Sequence, residues 1–207
     1  MLRSVIVMLF LLAPLALSAE QGNAGESQWS EYLNHDYHFR VKYPAYINWI
    51  EERGRATVRL NPISPRYQWR ENNLLFHISF GFGDPAAMKN KGLLMGLMWI
   101  DVCSNSEHAD LRSAADSIMR QYTHPGQYMS YDTSSVAGEP AILAETWDGW
   151  YNEKKTDLLE TYVFLHKDLV VALTIDPINF VSSRGDTLGL AGDKKDRVVK
   201  SFNWICH

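Results

Sequence analysis

The most regular hydrophobic pattern in the chain lies at residues 160–176 and predicts a β-hairpin. Two apolar runs rich in β-branched and aromatic residues, 162–165 and 169–175, flank the turn at 166–168. Each run has the length of a strand and is apolar on both of its faces. A strand that is apolar on both faces must be covered on both faces. The pattern therefore predicts a sheet that lies between two covering layers.

Several other segments also have the pattern of strands. Residues 37–43 alternate between apolar and polar side chains, which predicts a strand with one buried face, and Pro44 ends it. Further strands are expected in three apolar segments bounded by turn residues, namely 73–82, 93–103 and 141–151.

Helical spacing is clearest between Leu111 and Tyr122, where apolar residues recur on one face. Ser104 and Glu107 have the spacing of a capping box, so we expect this helix to begin near them. A second helix is expected to have Asp193 as its N-cap, and residues 27–33 predict a single helical turn.

The first 19 residues have the pattern of a Sec-type signal peptide. Arg3 precedes an apolar run at residues 5–13, and small residues lead up to Ala19. An uncleaved membrane anchor is the alternative, but the run is shorter than the roughly 20 residues that a membrane-spanning helix needs. We expect cleavage after Ala19 and a single domain at residues 20–207, without a transmembrane segment, in the periplasm or secreted.

The net charge and the two cysteines bear on the kind of partner and on the presence of a disulfide. The sequence has 20 basic and 24 acidic side chains, a net charge of −4, and no basic stripe, which argues against a nucleic-acid partner. Cys103 and Cys206 are its two cysteines. In an exported protein an even number favours a disulfide, worth at most about 4–5 kcal/mol for a loop of this length. Two separate thiols are the alternative.

The strand at residues 39–44, Phe-Arg-Val-Lys-Tyr-Pro, is followed shortly by Trp49. This opening resembles that of PsbP-like domains, as does the order that follows: strands, one central helix, a three-strand meander and a closing helix that ends in Ser201 and Phe202. The resemblance implies an α+β fold in which helices cover both faces of an antiparallel sheet, an α/β/α sandwich. It also implies an accessory or binding role, and it brings no catalytic residues with it.

The sequence contains no motif with a known catalytic mechanism. It has no Gly-x-Ser-x-Gly elbow, phosphate-binding loop, His-Glu-x-x-His or Cys-x-x-Cys pattern, so we expect neither an enzyme nor a cofactor. The tightest group of potential metal ligands is His35, Asp36 and His38. Their spacing matches no common metal site, so a solvated turn is the favoured interpretation and no metal is predicted.

Trp147, Trp150 and Tyr151 are the first candidates for contact with a partner. Exposed aromatic side chains often anchor partners, although large aromatic residues more often pack in the core. A bulge at Asp148 and Gly149 is one way to turn one ring outward.

The second candidate is the polar segment 179–192, which contains Arg184 and Asp186. Loops of this length in compact domains tend to be functional or disordered.

Together these observations predict an exported cell-envelope accessory protein that binds another protein or envelope component without catalysis. An exported hydrolase with an unrecognised active site is one alternative, and a carrier of a small ligand or metal is another.

Overall fold

The structure is a computed structural model that describes residues 28–53, 73–82, 95–123, 126–151, 153–181 and 187–205. Its main feature is a seven-stranded antiparallel sheet. The strands lie side by side in the order β3 (Asn48–Arg53), β4 (Leu74–Phe82), β5 (Met95–Ser104), β11 (Leu169–Ile175), β10 (Leu159–His166), β7 (Glu139–Trp147) and β6 (Tyr128–Val136).

The remaining described elements surround this sheet. A three-stranded sheet consists of β1 (Trp29–Asn34), β2 (Phe39–Pro44) and β14 (Asn203–Trp204). Two short hairpins pair β8 (Gly149–Tyr151) with β9 (Lys154–Thr156), and β12 (Asn179–Val181) with β13 (Thr187–Gly189). The helices are α1 (Leu111–Tyr122) and α2 (Asp193–Ser201). Neither of these helices is long and apolar enough to cross a membrane.

The hairpin predicted at residues 160–176 is confirmed and lies in the middle of the large sheet. β10 and β11 pair in continuous register from Glu160↔Ile175 to His166↔Leu169. Val163 belongs to the core on one face of the sheet, whereas the neighbouring Phe164 belongs to the core on the other. The two apolar faces of this hairpin therefore require a covering layer on each side, as the sequence indicated.

Helix α1 covers one face of the sheet. Its buried stripe packs against β7, β10 and β11 and consists of Ala114, Ala115, Ile118 and Met119. The predicted start of this helix near Ser104 is wrong, because Ser104 continues strand β5. Asp110 is the cap instead, and its carboxylate accepts a hydrogen bond from the Ser113 amide at 2.8 Å. That bond stabilises the ionised carboxylate and lowers the pKa of Asp110.

The other face is covered by the three-stranded sheet. Aromatic rings join the two layers: Phe39 of β2 stacks on Phe202 at 5.2 Å, and Phe202 also meets Phe164 edge-on at 5.2 Å. Helix α2 packs beside β2 and contributes Val198 to this core. Every ring in this contact is buried, so the small sheet is an integral layer of the fold.

The predicted α/β/α sandwich is therefore wrong. The described part of the chain is mostly β, and its two helices do not cover both faces of the sheet. The physical reason lies at residues 29–34, because a helical turn was expected at 27–33. They pair with β2 instead, placing Tyr32 opposite Val41 with both side chains buried and Glu31 outside. This alternation has a period of two, which is typical of a strand.

The described residues of the segment 179–192, which was expected to be a loop, include the paired strands β12 and β13 and pack closely against the core. Leu190 is buried in the core, and Tyr46 Oη donates a hydrogen bond to the Gly189 carbonyl at 2.9 Å. Gly189 has a φ of 114°, and a Cβ there would lie 2.0 Å from the Ile178 carbonyl oxygen. Both the positive φ and the lack of space for a Cβ therefore require a glycine at this position. Helix α2 follows, with Gly192 rather than Asp193 at its N-cap.

Candidate functional site

The β7–β10 hairpin extends beyond the end of the large sheet. After Trp147 the chain passes Asp148 and continues as β8, which pairs with β9. The Asp148 amide donates a hydrogen bond to the Thr156 carbonyl at 3.0 Å, which joins the extension to the main hairpin. The break at Asp148 starts a new two-stranded ladder and carries the next side chains beyond the sheet.

Three aromatic residues, Tyr128, Trp147 and Trp150, form an aromatic cluster at this end, and Tyr151 follows Trp150 on β8. Tyr128 stacks on Trp147 with 5.7 Å between ring centroids, and Trp150 meets Trp147 edge-on at 5.8 Å. Trp147 is buried, whereas Tyr128, Trp150 and Tyr151 are 52%, 58% and 71% exposed. Of the sequence candidates, Trp147 is thus a core residue, and Trp150 and Tyr151 are at the surface. Tyr128 was not anticipated.

The base of the aromatic cluster is held by paired charges. Lys155 Nζ lies 4.1 Å above the Trp147 ring and also donates a hydrogen bond to Glu145. Glu145 faces Glu160 across the β7–β10 pair, and Lys195 donates a hydrogen bond to Glu160 at 2.8 Å. Each of these two carboxylates is therefore neutralised by its own lysine.

A cavity of about 400 Å³ lies beside the extension, between it and the segment that follows β11. Burial, followed by the nearby charge of Asp157, raises the pKa of Asp176 in its wall. The other side chains of the lining are Gln127, Lys155, Leu158, Leu159, Pro177 and Ile178. Ile178 is 41% exposed, so the apolar surface continues from the cavity towards solvent.

Strand β6, which carries Tyr128, lies at one edge of the large sheet. All nine of its residues pair with β7, from Tyr128↔Trp147 to Val136↔Glu139, without a shift in register. Within the part of the chain that the structure describes, β7 is the only strand that pairs with β6. Proteins usually protect such edges with lysines, prolines or bulges. Strand β6 has none of these devices and carries a single charged side chain, that of Asp132.

Other predicted site residues lie elsewhere or cannot be placed. Arg184, Asp186 and Cys206 lie outside the described residues. Cys103 is buried under helix α1, and its disulfide with Cys206 stays a prediction.

The turn at residues 35–38, which contains the potential metal ligands His35, Asp36 and His38, lies at the edge of a second cavity. Asp36 and His38 line this space of about 430 Å³ together with His166 and Trp204, whereas His35 is not part of the lining. His166 stacks on Trp204 at 3.7 Å. Across the described ranges, no three His, Cys, Asp or Glu side chains are grouped closely enough to hold a metal ion.

A basic cleft of about 360 Å³ was not anticipated from the sequence. Arg40 and Lys42 of β2 meet Arg197 and Lys200 of α2 there, with Glu31 as the one acidic side chain in the lining. The residues lie far apart along the chain, and only the contact of α2 with β2 brings them together. Sequence composition had indicated no basic stripe, and this concentration depends on the tertiary fold.

Three side chains are hydrogen-bonded in a row across β4 and β5. These strands lie near the β3 edge of the large sheet, at the other end of the strand order from β6. His77 Nδ1 lies 2.5 Å from Asp101 Oδ1, and His77 Nε2 lies 2.7 Å from Ser79 Oγ. The Asp101 side chain is fully buried and that of His77 is 13% exposed. His77 and Ser79 lie two residues apart on one strand and therefore share a face. The signal in the sequence was this His-x-Ser spacing, but Asp101 could be added only once the register His77↔Asp101 was known.

Comparisons with known proteins give structural likenesses of low sequence identity. Neither protein-family models nor curated proteins match this chain. The solution structure of cyanobacterial PsbP (CyanoP) from Synechocystis sp. PCC 6803 is similar over 88% of this chain and 96% of its own, at 11% identity and a TM-score of 0.45. The crystal structure of PA94, a Pseudomonas aeruginosa protein of unknown function, is similar over 72% of this chain and 83% of its own, at 14% identity and a TM-score of 0.26. The resemblance to PsbP that the sequence predicted is confirmed at this level.

Proposed function

We propose that this chain is an accessory protein of the cell envelope that binds another protein, and that it does so without chemistry at the binding surface. The partner contributes an extended segment with apolar side chains. The backbone of that segment pairs with strand β6, and its side chains rest on the aromatic cluster. The observation that carries this proposal is the long, regular edge of β6, which has no lysine, proline or bulge and pairs among the described strands only with β7, beside exposed aromatic rings.

The edge of β6 supplies the affinity for a strand. A free edge presents alternating amide and carbonyl groups, and an added strand satisfies them by main-chain hydrogen bonds. The nine-residue length and unbroken register of β6 offer a ladder long enough for such a segment. An exposed edge strand of this kind promotes aggregation unless something pairs with it or covers it. The lack of lysines, prolines and bulges on β6 therefore supports a partner that pairs with this edge.

The aromatic cluster supplies selectivity for apolar side chains. Tyr128 lies at the first position of β6, so a strand added to this edge passes directly beside the cluster. Tryptophan and tyrosine are the residues most often found to dominate binding energy, typically by about 2 kcal/mol or more each. Glu145 and Glu160 are each paired with a lysine, so these two carboxylates do not need a charged partner.

Export of the chain is supported by its first 19 residues, which lie outside the described part of the structure. Their basic start, apolar run and small residues before Ala19 are the features of a cleaved signal peptide. We therefore place the binding event in the periplasm or outside the cell.

The proposal is tested by photocrosslinking in living cells. A photoreactive phenylalanine derivative replaces Trp150 in one variant and Trp49 in a matched control. Trp49 is also exposed, at 42%, but it lies on β3 at the opposite edge of the sheet. We expect one reproducible protein adduct from position 150 that is absent from position 49. Adducts of equal yield at both positions, or none at position 150, would contradict the proposal.

A second variant connects the adduct to the β6 edge. Thr133→Lys with Ser135→Lys places two charges on exposed positions of β6 and should abolish the adduct while the fold is retained. Leu33→Lys with Leu75→Lys adds the same charges to exposed positions elsewhere and should leave the adduct unchanged. If the adduct consists of a second copy of this chain, the edge serves self-association and the accessory role is refuted.

A further inference from the structure

The hydrogen-bond chain of Ser79, His77 and Asp101 favours one tautomer of a neutral imidazole. An ionised carboxylate can only accept hydrogen bonds, so Asp101 Oδ1 accepts from His77 Nδ1–H at 2.5 Å. In a neutral imidazole the other nitrogen is then an acceptor. Nε2 therefore accepts the hydroxyl proton of Ser79, whose Oγ lies 2.7 Å away. These are the two contacts that activate a serine: nucleophile to base, and base to an orienting carboxylate.

We propose that Ser79 is an activated nucleophile that is acylated by small carboxylic esters. Ser79 Oγ attacks the ester carbonyl carbon while its proton moves to His77 Nε2. The bond between that carbon and the alcohol oxygen then breaks, and the leaving alcohol takes the proton from His77. The products are an ester of Ser79 and a free alcohol, without an oxidant or other co-reactant. Asp101 acts as a positioning residue that holds the ring and stabilises its charged form.

The burial of the three side chains fits this division of roles. Asp101 is fully buried, which removes competing water from its contact with the imidazole. The His77 side chain is mostly buried, whereas Ser79 is partly exposed, so the exposed end of the hydrogen-bond chain is at Ser79. Because access is partial, the site suits small acyl donors.

The proposed site is separate from the proposed binding surface. Ser79 and His77 lie on β4, next to the β3 edge, whereas the aromatic cluster lies at the β6 edge. Five strands lie between the two edge strands of this sheet. Acylation of Ser79 and capture of a partner can therefore fail independently of each other.

The test uses the full mature chain with para-nitrophenyl acetate as the acyl donor. We expect a stoichiometric release of nitrophenol and the mass of one acetyl group on the peptide that contains Ser79. Ser79→Ala should lose this adduct. Ser113→Ala is the matched control, since Ser113 lies on helix α1 and its hydroxyl donates a hydrogen bond to the Asp110 carboxylate at 3.2 Å, and it should keep the adduct. An adduct on another residue, or none, would overturn the proposal.

The role of the imidazole needs a measurement that a purely structural contact would not change. His77→Ala should slow acylation by about 100-fold or more, which is the lower range for the loss of a general base. Added imidazole should restore part of the rate, because it can take the proton in the vacated space. Asp101→Asn should slow acylation while circular dichroism shows an intact fold. A His77→Ala variant that folds and reacts at the original rate would show that Ser79 is not activated.

Discussion

Truncation of Phe202 tests whether the small sheet is a structural layer of this fold. Phe202 is 1% exposed and contacts three rings, those of Phe39 and Phe164 at 5.2 Å and that of Trp204 at 5.5 Å. Replacement of a buried phenylalanine by alanine typically costs about 3–5 kcal/mol, because apolar contacts are lost and a cavity remains. Phe202 lies where both layers and helix α2 meet, so neighbouring side chains have little freedom to fill that cavity. We expect a cost for Phe202→Ala in this range.

Urea denaturation measures this change as a shift in the midpoint at constant slope. For a chain of this size, a loss of about 3–5 kcal/mol corresponds to a melting temperature lower by roughly 6–20 °C. Trp150→Ala is the matched control, since it also removes a large ring but from a position that is 58% exposed, and it should cost about 0.5 kcal/mol or less. If Phe202→Ala costs less than about 1 kcal/mol, the small sheet does not contribute to the core as described.

Three further outcomes follow from single contacts. Gly189→Ala should lower the free energy of unfolding by about 1–3 kcal/mol, because its methyl group meets the Ile178 carbonyl; an unchanged melting temperature would refute this. Burial, together with Asp116, raises the pKa of Tyr131 to about 12, so the folded state holds this proton more tightly than the unfolded state. Stability should therefore fall as the pH rises from about 10 to about 12, and Tyr131→Phe should make the fall shallower; an equal slope in both proteins would count against it. Lys155→Met should weaken partner capture by loosening the contact with Trp147, and undiminished capture would exclude Lys155 from the surface.

The parts of the fold that were predictable are those set by local sequence. The hairpin at 160–176 was evident because both of its strands are continuously apolar, and the strands at 74–82 and 95–104 followed from similar runs. Helix α1 was predicted from the spacing of its apolar residues, but its N-cap was predicted at the wrong residue. Ser104 and Glu107 have the spacing of a capping box in the sequence. In the structure, it is the Asp110 carboxylate that accepts the hydrogen bond from the Ser113 amide.

The nature of the second covering layer was not predictable, because it depends on pairing between distant segments. The first strand exposes Glu31 and Leu33 and buries Tyr32 and Asn34, so its sequence lacks a clear alternation of apolar and polar residues, and its pairing with β2 makes it a strand. Strand β14 has only two residues and reaches β2 from the far end of the chain. Such short elements carry little periodicity of their own and form through tertiary contacts.

The candidate sites depend on register for the same reason. Trp150 and Tyr151 were found from composition, but Tyr128 joins them only because β6 pairs with β7 so that Tyr128 lies opposite Trp147. Asp101 likewise reaches His77 through the pairing of β4 with β5. A shift of one residue in either register would turn these side chains to the opposite face. Sequence patterns specify the faces of a strand and leave its partner open.

The measurement that tests the central claim most directly is amide hydrogen exchange of this protein with and without the captured segment. The partner segment identified by crosslinking is supplied as a synthetic peptide. If the segment adds to the sheet, amides of β6 become protected from exchange, while those of β3 at the opposite edge are unchanged. Binding that leaves the exchange of β6 unchanged, or that protects β3 instead, would contradict strand addition at this edge.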